Sequence, residues 1–215
     1  MCRAVCFLVL AIGAAGCASE KQEKVRFYNE DGIYLFQRGE YQPARDSFLA
    51  AIALTPEDPA LYYSVGECYD RMGDVANAER HYMECLGRDP GHADSRHALA
   101  VLLVREGRRD EAERMVQQWL AREPKRAAAY AEDGWLWYQS GDLPRAQARL
   151  QQALELDPHD MRTLIELARV YEAMNRPDRA VALYERVVER NPRQVEVVKR
   201  LKALKSQGTG QPHPD

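Results

Sequence analysis

Few side chains in this sequence are spaced for chemistry. His92, Asp94 and His97 lie close enough along the chain to suggest metal ligands. They straddle a turn between two helical stretches, however, and lack the i, i+4 presentation of a helical metal site; they read as solvated surface residues. Glu111 and Glu113 bring two carboxylates together in sequence, yet residues two apart on a helix face different ways. No Gly-x-Ser-x-Gly elbow, phosphate-cradling glycine loop or His-Glu-x-x-His pair occurs. Cys68 and Cys85 are expected on the two helices of one hairpin, both turned inward. They read as small apolar side chains, or as a disulfide if their Cα atoms come within about 7 Å. The reading is of a chain with no catalytic residues, no metal site and no cofactor.

Cys17 is the exception. After Arg3, residues Ala4 to Ala15 carry no charge, and Ala14-Ala15-Gly16-Cys17 then leads into the polar stretch Ala18 to Lys24. Twelve uncharged residues make a helix about 18 Å long, well short of the roughly 30 Å hydrocarbon core, so the run suits a cleaved signal segment. The Gly16-Cys17 junction resembles the lipobox of bacterial lipoproteins. That resemblance implies cleavage after residue 16, which removes Cys2 and Cys6, and lipidation of Cys17. Residues 17–24 would then be the lipidated Cys17 and a short tether, with Ala18 to Lys24 reaching at most about 25 Å when extended. Ala18 after the cysteine implies the outer membrane, facing the periplasm.

The elements that position everything else come from a repeat. Pro56, Pro90, Pro124, Pro158 and Pro192 recur at thirty-four-residue intervals, as do Ala44, Ala78, Ala112, Ala146 and Ala180. Gly39, Gly73, Gly107 and Gly141 keep the same step, and Asn175 takes the fifth place. A Gly or Asn between two amphipathic stretches supplies the left-handed turn that ends a helix. Proline closes the second helix, and alanine lets two helix axes approach closely. Each period is a helix–turn–helix unit that stacks on the next.

In these features the sequence resembles the tetratricopeptide repeat family. Five gapless units run over 25–58, 59–92, 93–126, 127–160 and 161–194. Their eighth place holds Gly32, Gly66, Ala100, Gly134 and Ala168; their twenty-fourth holds Phe48, Tyr82, Val116, Leu150 and Tyr184. The third unit departs most, with Arg96 at an aromatic place and Trp119 where a small residue is expected; a local irregularity without a break in the array is the expectation. Residues 195–205 read as a capping helix with an apolar stripe of Val198, Leu201 and Leu204, and 206–215 as a disordered tail. The fold expected is all-α, a right-handed superhelical solenoid of five hairpins plus a cap.

The resemblance implies a concave groove lined by the first helix of each unit. It assigns partner contact to Phe36, Tyr63, Glu67, Asp70, Arg71, Val101, Arg105, Trp135, Tyr138, Ile165 and Arg169. Trp135 and Tyr138 are expected as exposed rings. The chaperone-clamping pattern of basic and Asn residues is absent. Thirty basic against thirty-three acidic residues give a net charge of −3, without the basic excess of a nucleic-acid binder. The implied protein is an envelope-anchored scaffold holding a partner peptide or helix, with no nucleic acid or small-molecule substrate. It is similar to lipoproteins acting as pilotins of type IV pilus secretins or assisting β-barrel assembly. The alternatives are an adaptor for a peptidoglycan enzyme or envelope protease, a subunit completing an active site in trans, and a soluble sugar- or metal-binding protein.

Overall fold

The computed structural model describes residues 3–208, with side chains over 19–206. The first two residues and 209–215, most of the expected tail, lie outside the described residues. Among the described residues there are eleven helices and no strand. They are α1 (Arg3–Gln37), α2 (Tyr41–Leu54), α3 (Pro59–Arg71), α4 (Val75–Arg88), α5 (Ala93–Arg105), α6 (Arg109–Arg122), α7 (Ala127–Gln139), α8 (Leu143–Leu156), α9 (Met161–Ala173), α10 (Pro177–Arg190) and α11 (Val195–Gly208). No helix among the described residues is long and apolar enough to cross a membrane. The chain forms two compact units, dividing between Arg109 and Asp110. The boundary falls inside the third repeat, with α5 in the first unit and nearly all of α6 in the second.

The turns form as the repeat requires. Gly39, Gly73, Gly107, Gly141 and Asn175 all have positive φ, with Asn175 at 56°. At each, two backbone bonds close the preceding helix: Asp74 N–H donates to the Tyr69 carbonyl at 2.9 Å, and Gly73 N–H to that of Asp70 at 3.0 Å. The same pair recurs at Arg176 and Asn175. This is the Schellman closure, which satisfies carbonyls a helix end would otherwise leave bare. The following helices are capped where the sequence supplies an acceptor. Asp74, Asp142 and Asp160 accept from the N–H groups of Asn77, Arg145 and Thr163.

A second regularity concerns the proline loops. Tyr62 hydroxyl donates to the Pro56 carbonyl and Tyr130 hydroxyl to that of Pro124, each at 3.0 Å. At the equivalent place in the third repeat, the Arg96 guanidinium donates to the Pro90 carbonyl. The residue that looked anomalous in sequence thus performs the aromatic residue's hydrogen bond. Trp119 is also accommodated: it is buried, and its indole N–H donates to Glu123 at 3.0 Å.

In the first unit α1 pairs with α2 and α3 with α4, with α2 packed on α3 and α4 on α5. Ala44, Phe48, Ala51, Leu61, Val65 and Cys68 form one core cluster. Cys68 and Cys85 are both free and fully buried. Burial pushes the Cys68 thiol up to about 12 and raises that of Cys85, so both stay protonated. His81 is buried as well, its ring stacked on Tyr69 at 5.4 Å between centroids.

In the second unit α7 pairs with α8 and α9 with α10; α8 packs on α9, and α10 on α11. The core continues from Leu150 and Ala153 through Leu167, Tyr171 and Tyr184 into α11. There the buried stripe is Val197, Leu201 and Leu204, and Val198 is only half-buried. The expected stripe is therefore shifted by one residue at its start: 197, 201 and 204 follow i, i+4, i+7, which holds one helix face. Lys202 stands exposed at the place that is Gly or Ala in the repeats. The helix also continues through Ser206 to Gly208, where a tail was expected.

Residues 17–24 depart from expectation too. They form part of α1 and are not extended chain; the Lys24 ammonium reaches Glu20 at 2.7 Å, one turn back. As helix, the seven residues from Ala18 to Lys24 rise about 10 Å, less than half the reach of an extended tether.

Two outcomes follow from this packing. A Cβ placed on Gly134 would meet Leu150 Cγ at 2.6 Å and the Leu150 backbone N at 3.2 Å. Gly134→Val should therefore lower unfolding stability by about 1–3 kcal/mol, whereas Gly87→Ala, which meets nothing within 4 Å, should gain up to about 1 kcal/mol; thermal melts of both variants decide this. The second concerns acid. Burial first, then the neighbouring Arg80 and Arg88, hold the His81 imidazole below its usual range against the opposing pull of Glu84. The unfolded chain binds this proton near pH 6.5 and the folded chain only at lower pH, so stability is full above about 6.5 and declines as pH falls toward the folded value. His81→Gln should remove that part of the slope in denaturant titrations below about pH 6.5.

Candidate interaction grooves

Each unit presents the first helices of its hairpins along one face, and the candidate contact residues lie there. In the first unit, Phe36 stands on α1, Tyr63, Glu67, Asp70 and Arg71 on α3, and Val101 and Arg105 on α5. Much of their charge is used internally. Arg105 reaches back one repeat to the Asp70 carboxylate at 2.5 Å and also contacts Glu106 at 3.4 Å. The Arg71 guanidinium sits over the Phe36 ring, 5.4 Å from its centroid, a cation–π contact. Tyr63 is half-buried, its ring 5.4 Å from that of His92 and 6.0 Å from that of Tyr82. Burial drives its phenol far above the usual tyrosine range, helped by Glu67 and Asp94. Glu67 is raised above the usual carboxylate range chiefly by burial, with Tyr63 and Arg71 pulling the other way.

His92 does not sit in solvent as expected. It is half-buried against Tyr63, and its Nδ1 accepts from Ser95 N–H at 3.2 Å, which makes it the N-cap of α5. A helix start needs an acceptor there, and in this repeat histidine replaces the aspartate of Asp58 and Asp160. No group of three or more His, Cys, Asp or Glu placed to hold a metal occurs among the described residues.

In the second unit the expectation for Trp135 fails. Its exposure is 7%, and the whole run Ala131–Leu136 is buried. A stretch of α7 enclosed over these six residues offers no open wall at Trp135. The enclosure extends to acids: Glu132 is 0% exposed and Asp133 3%. They are matched by basic partners, Arg162 Nη2 to Glu132 at 2.6 Å and Arg149 Nε to Asp133 at 2.8 Å. Gln117 also donates to Asp133 at 3.2 Å. Glu166, another groove position, is buried and paired with Arg169 at 3.2 Å. The Arg162–Glu132 and Arg149–Asp133 pairs lock α7 to α9 and α8, while Glu166–Arg169 lies within α9.

What stays open is the face beyond them. Tyr138, Ile165 and Arg169 line a cleft of about 690 Å³ together with Glu172, Tyr184, Val197, Arg200 and Leu204. A second hollow of about 430 Å³ shares Ile165 and Arg169 and continues past Met161 and Arg162 to Gln194. At the centre of the larger cleft, Tyr184 hydroxyl donates to Glu172 Oε1 at 2.7 Å, and Arg200 Nε donates to Oε2 at 2.6 Å. The α11 helix therefore forms a wall of the cleft. Val197 and Arg200 were missed in sequence because α11 was read only as a cap, and Tyr184 on α10 because its twenty-fourth place was read only as packing.

Helical hairpins whose first helices share one face within each unit define an α-hairpin repeat protein. Models of the tetratricopeptide repeat match residues 71–132 and 138–204, and a further one matches 30–93. The chain belongs to the tetratricopeptide repeat family, whose members bind peptides or proteins. Among curated relatives it is 45% identical over 51 residues to the outer dynein arm-docking complex subunit 4 of Danio rerio, which covers 24% of this chain and 10% of that one. It spans 16% or less of the length of the curated relatives it matches. Among solved structures, a thermophilic TPR protein of Thermus thermophilus is similar at a TM-score of 0.67 and 24% identity, over 86% of this chain and 98% of that one. The pilF protein of Pseudomonas aeruginosa is similar at 0.57 and 15% identity, over 87% and 90%. At these identities both likenesses concern the fold.

Trp135→Ala should cost about 3–5 kcal/mol of unfolding free energy, as for a buried ring, measured by urea denaturation. A variant as stable as the parent would return the ring to the surface.

Proposed function

We propose that this chain is a non-catalytic scaffold that holds a partner polypeptide in its first-helix groove and is anchored to a bacterial envelope through lipidated Cys17. The observation that carries the groove reading is the 690 Å³ cleft. It joins an aromatic ring, an aliphatic side chain and charged groups on one open face, the mixture from which interface anchors are built. The buried ion pairs behind it, Arg162 with Glu132 and Arg149 with Asp133, keep that face rigid before a partner arrives, which lowers the ordering cost of binding. The anchoring half rests on the apolar run and the Gly16-Cys17 junction. Two or three acyl chains at one cysteine would hold the protein firmly, since each buried CH₂ contributes about 0.8 kcal/mol. A role in assembling a pilus, secretion or β-barrel complex fits such a scaffold, with the partner supplying the chemistry.

The two halves are tested separately. A photo-crosslinking residue at Tyr138 or Ile165 of the full chain in intact cells should capture the same protein, while one at exposed Gln152 on α8 should not. Equal capture from all three positions would remove the groove from the account. Labelled palmitate should enter the wild-type chain and not Cys17→Ser; equal labelling of both would remove the anchor.

A further inference from the structure

The first unit carries its own hollow, distinct in chemistry from the cleft of the second. A cavity of about 300 Å³ lies between α1 and α3, lined by Ile33, Phe36, Gln37, Phe48, Ser64 and Glu67. Its floor is apolar: Phe48 is buried and Phe36 half-buried, while Ile33 at the mouth is 44% exposed. Glu67 is the ionisable group in that lining.

Glu67 has acidic neighbours. The acids near it on this face are Asp70 and Asp94, with Glu106 beyond Arg105. Two cations of this face are engaged elsewhere: Arg105 with Asp70 and Glu106, Arg71 over the Phe36 ring. Asp70 and Asp94 both bear unfavourably on the Glu67 charge, and Arg71 offsets them in part. The second unit differs. There the groove acids Glu166 and Glu172 are matched by Arg169 and Arg200. A half-buried carboxylate beside an apolar hollow is one side of a charge pair whose other side can come from a ligand, and desolvated pairs of this kind set specificity.

Building on the scaffold reading, we infer that the first unit selects a basic amphipathic segment of its protein partner. The segment places a large apolar side chain in the Ile33–Phe36–Phe48 hollow and a lysine or arginine on Glu67. The hollow supplies affinity and the carboxylate supplies choice: a glutamate in the partner at that position would meet Glu67 beside Asp70 and Asp94 and be rejected.

The probe is a random dodecapeptide library displayed on phage and selected on the immobilised full-length chain. The wild type should enrich sequences with a large apolar residue at fixed spacing from Lys or Arg. Glu67→Lys should replace that basic residue by Asp or Glu and bind the wild-type peptide at least about tenfold more weakly. Phe36→Ala should lose the apolar preference, and Glu189→Lys, on α10 in the other unit, should change nothing. If Glu67→Lys melts below the parent, Glu67→Gln serves in its place and should relax the basic preference without reversing it. An enriched motif that lacks a basic residue, or that Glu67 substitutions leave unchanged, overturns the inference and leaves the scaffold intact. Failure to enrich any motif on either unit overturns both.

Discussion

The structure depends on how closely two helices of a hairpin can approach. Ala44, Ala78, Ala112, Ala146 and Ala180 are all fully buried, and the eighth-place residues Gly32, Gly66 and Gly134 leave no room for even a Cβ against Phe48, Tyr82 and Leu150. Small residue on one helix meets ring or branched side chain on the other. That fit fixes the register of each hairpin, and the left-handed turn between the helices allows it. Packing density of this order makes each hairpin stiff, so the groove positions are placed by steric contact and not by the groove's own chemistry.

That division explains what could be read from the amino acids alone. The turn residues, the small residues and the rings that cover them were legible because each has a conformational or volume requirement that few side chains meet. Trp135 was not. Its place in the repeat implies an open wall, but whether a ninth-position ring is exposed depends on everything surrounding α7, and the burial of neighbouring Glu132 and Asp133 needs arginines thirty and sixteen residues away. Arg96 failed in the opposite direction: its residue type broke the pattern while its hydrogen bond kept it. The one-residue shift from Val198 to Val197 has a simpler origin, since two adjacent valines give helical periodicity nothing with which to choose between them.

The ion pairs give the two units different characters. In the second unit acid and base meet inside the protein, and the pairs stitch α7 to α8 and α9, and α9 to α11. Removing one partner there strands a buried charge, the expensive way to break such a pair. In the first unit the links run from Arg105 to Asp70 and from Arg108 to Glu79, the latter through both terminal nitrogens at 2.6 and 2.9 Å, while Glu67 is steadied by Tyr63 and Arg71. Membership of the tetratricopeptide repeat family accounts for the hairpins; the distribution of these charges is particular to this chain.

The unbroken course of α1 bears on orientation. From residue 17 to its end at Gln37 the helix has no turn or proline, and twenty residues rise about 30 Å. A flexible leader would let the first hairpin swivel freely about whatever point is held. A continuous helix acts instead as a mast: fixing the azimuth and tilt of residue 17 also fixes the compass bearing of Phe36 and of the hollow beside it.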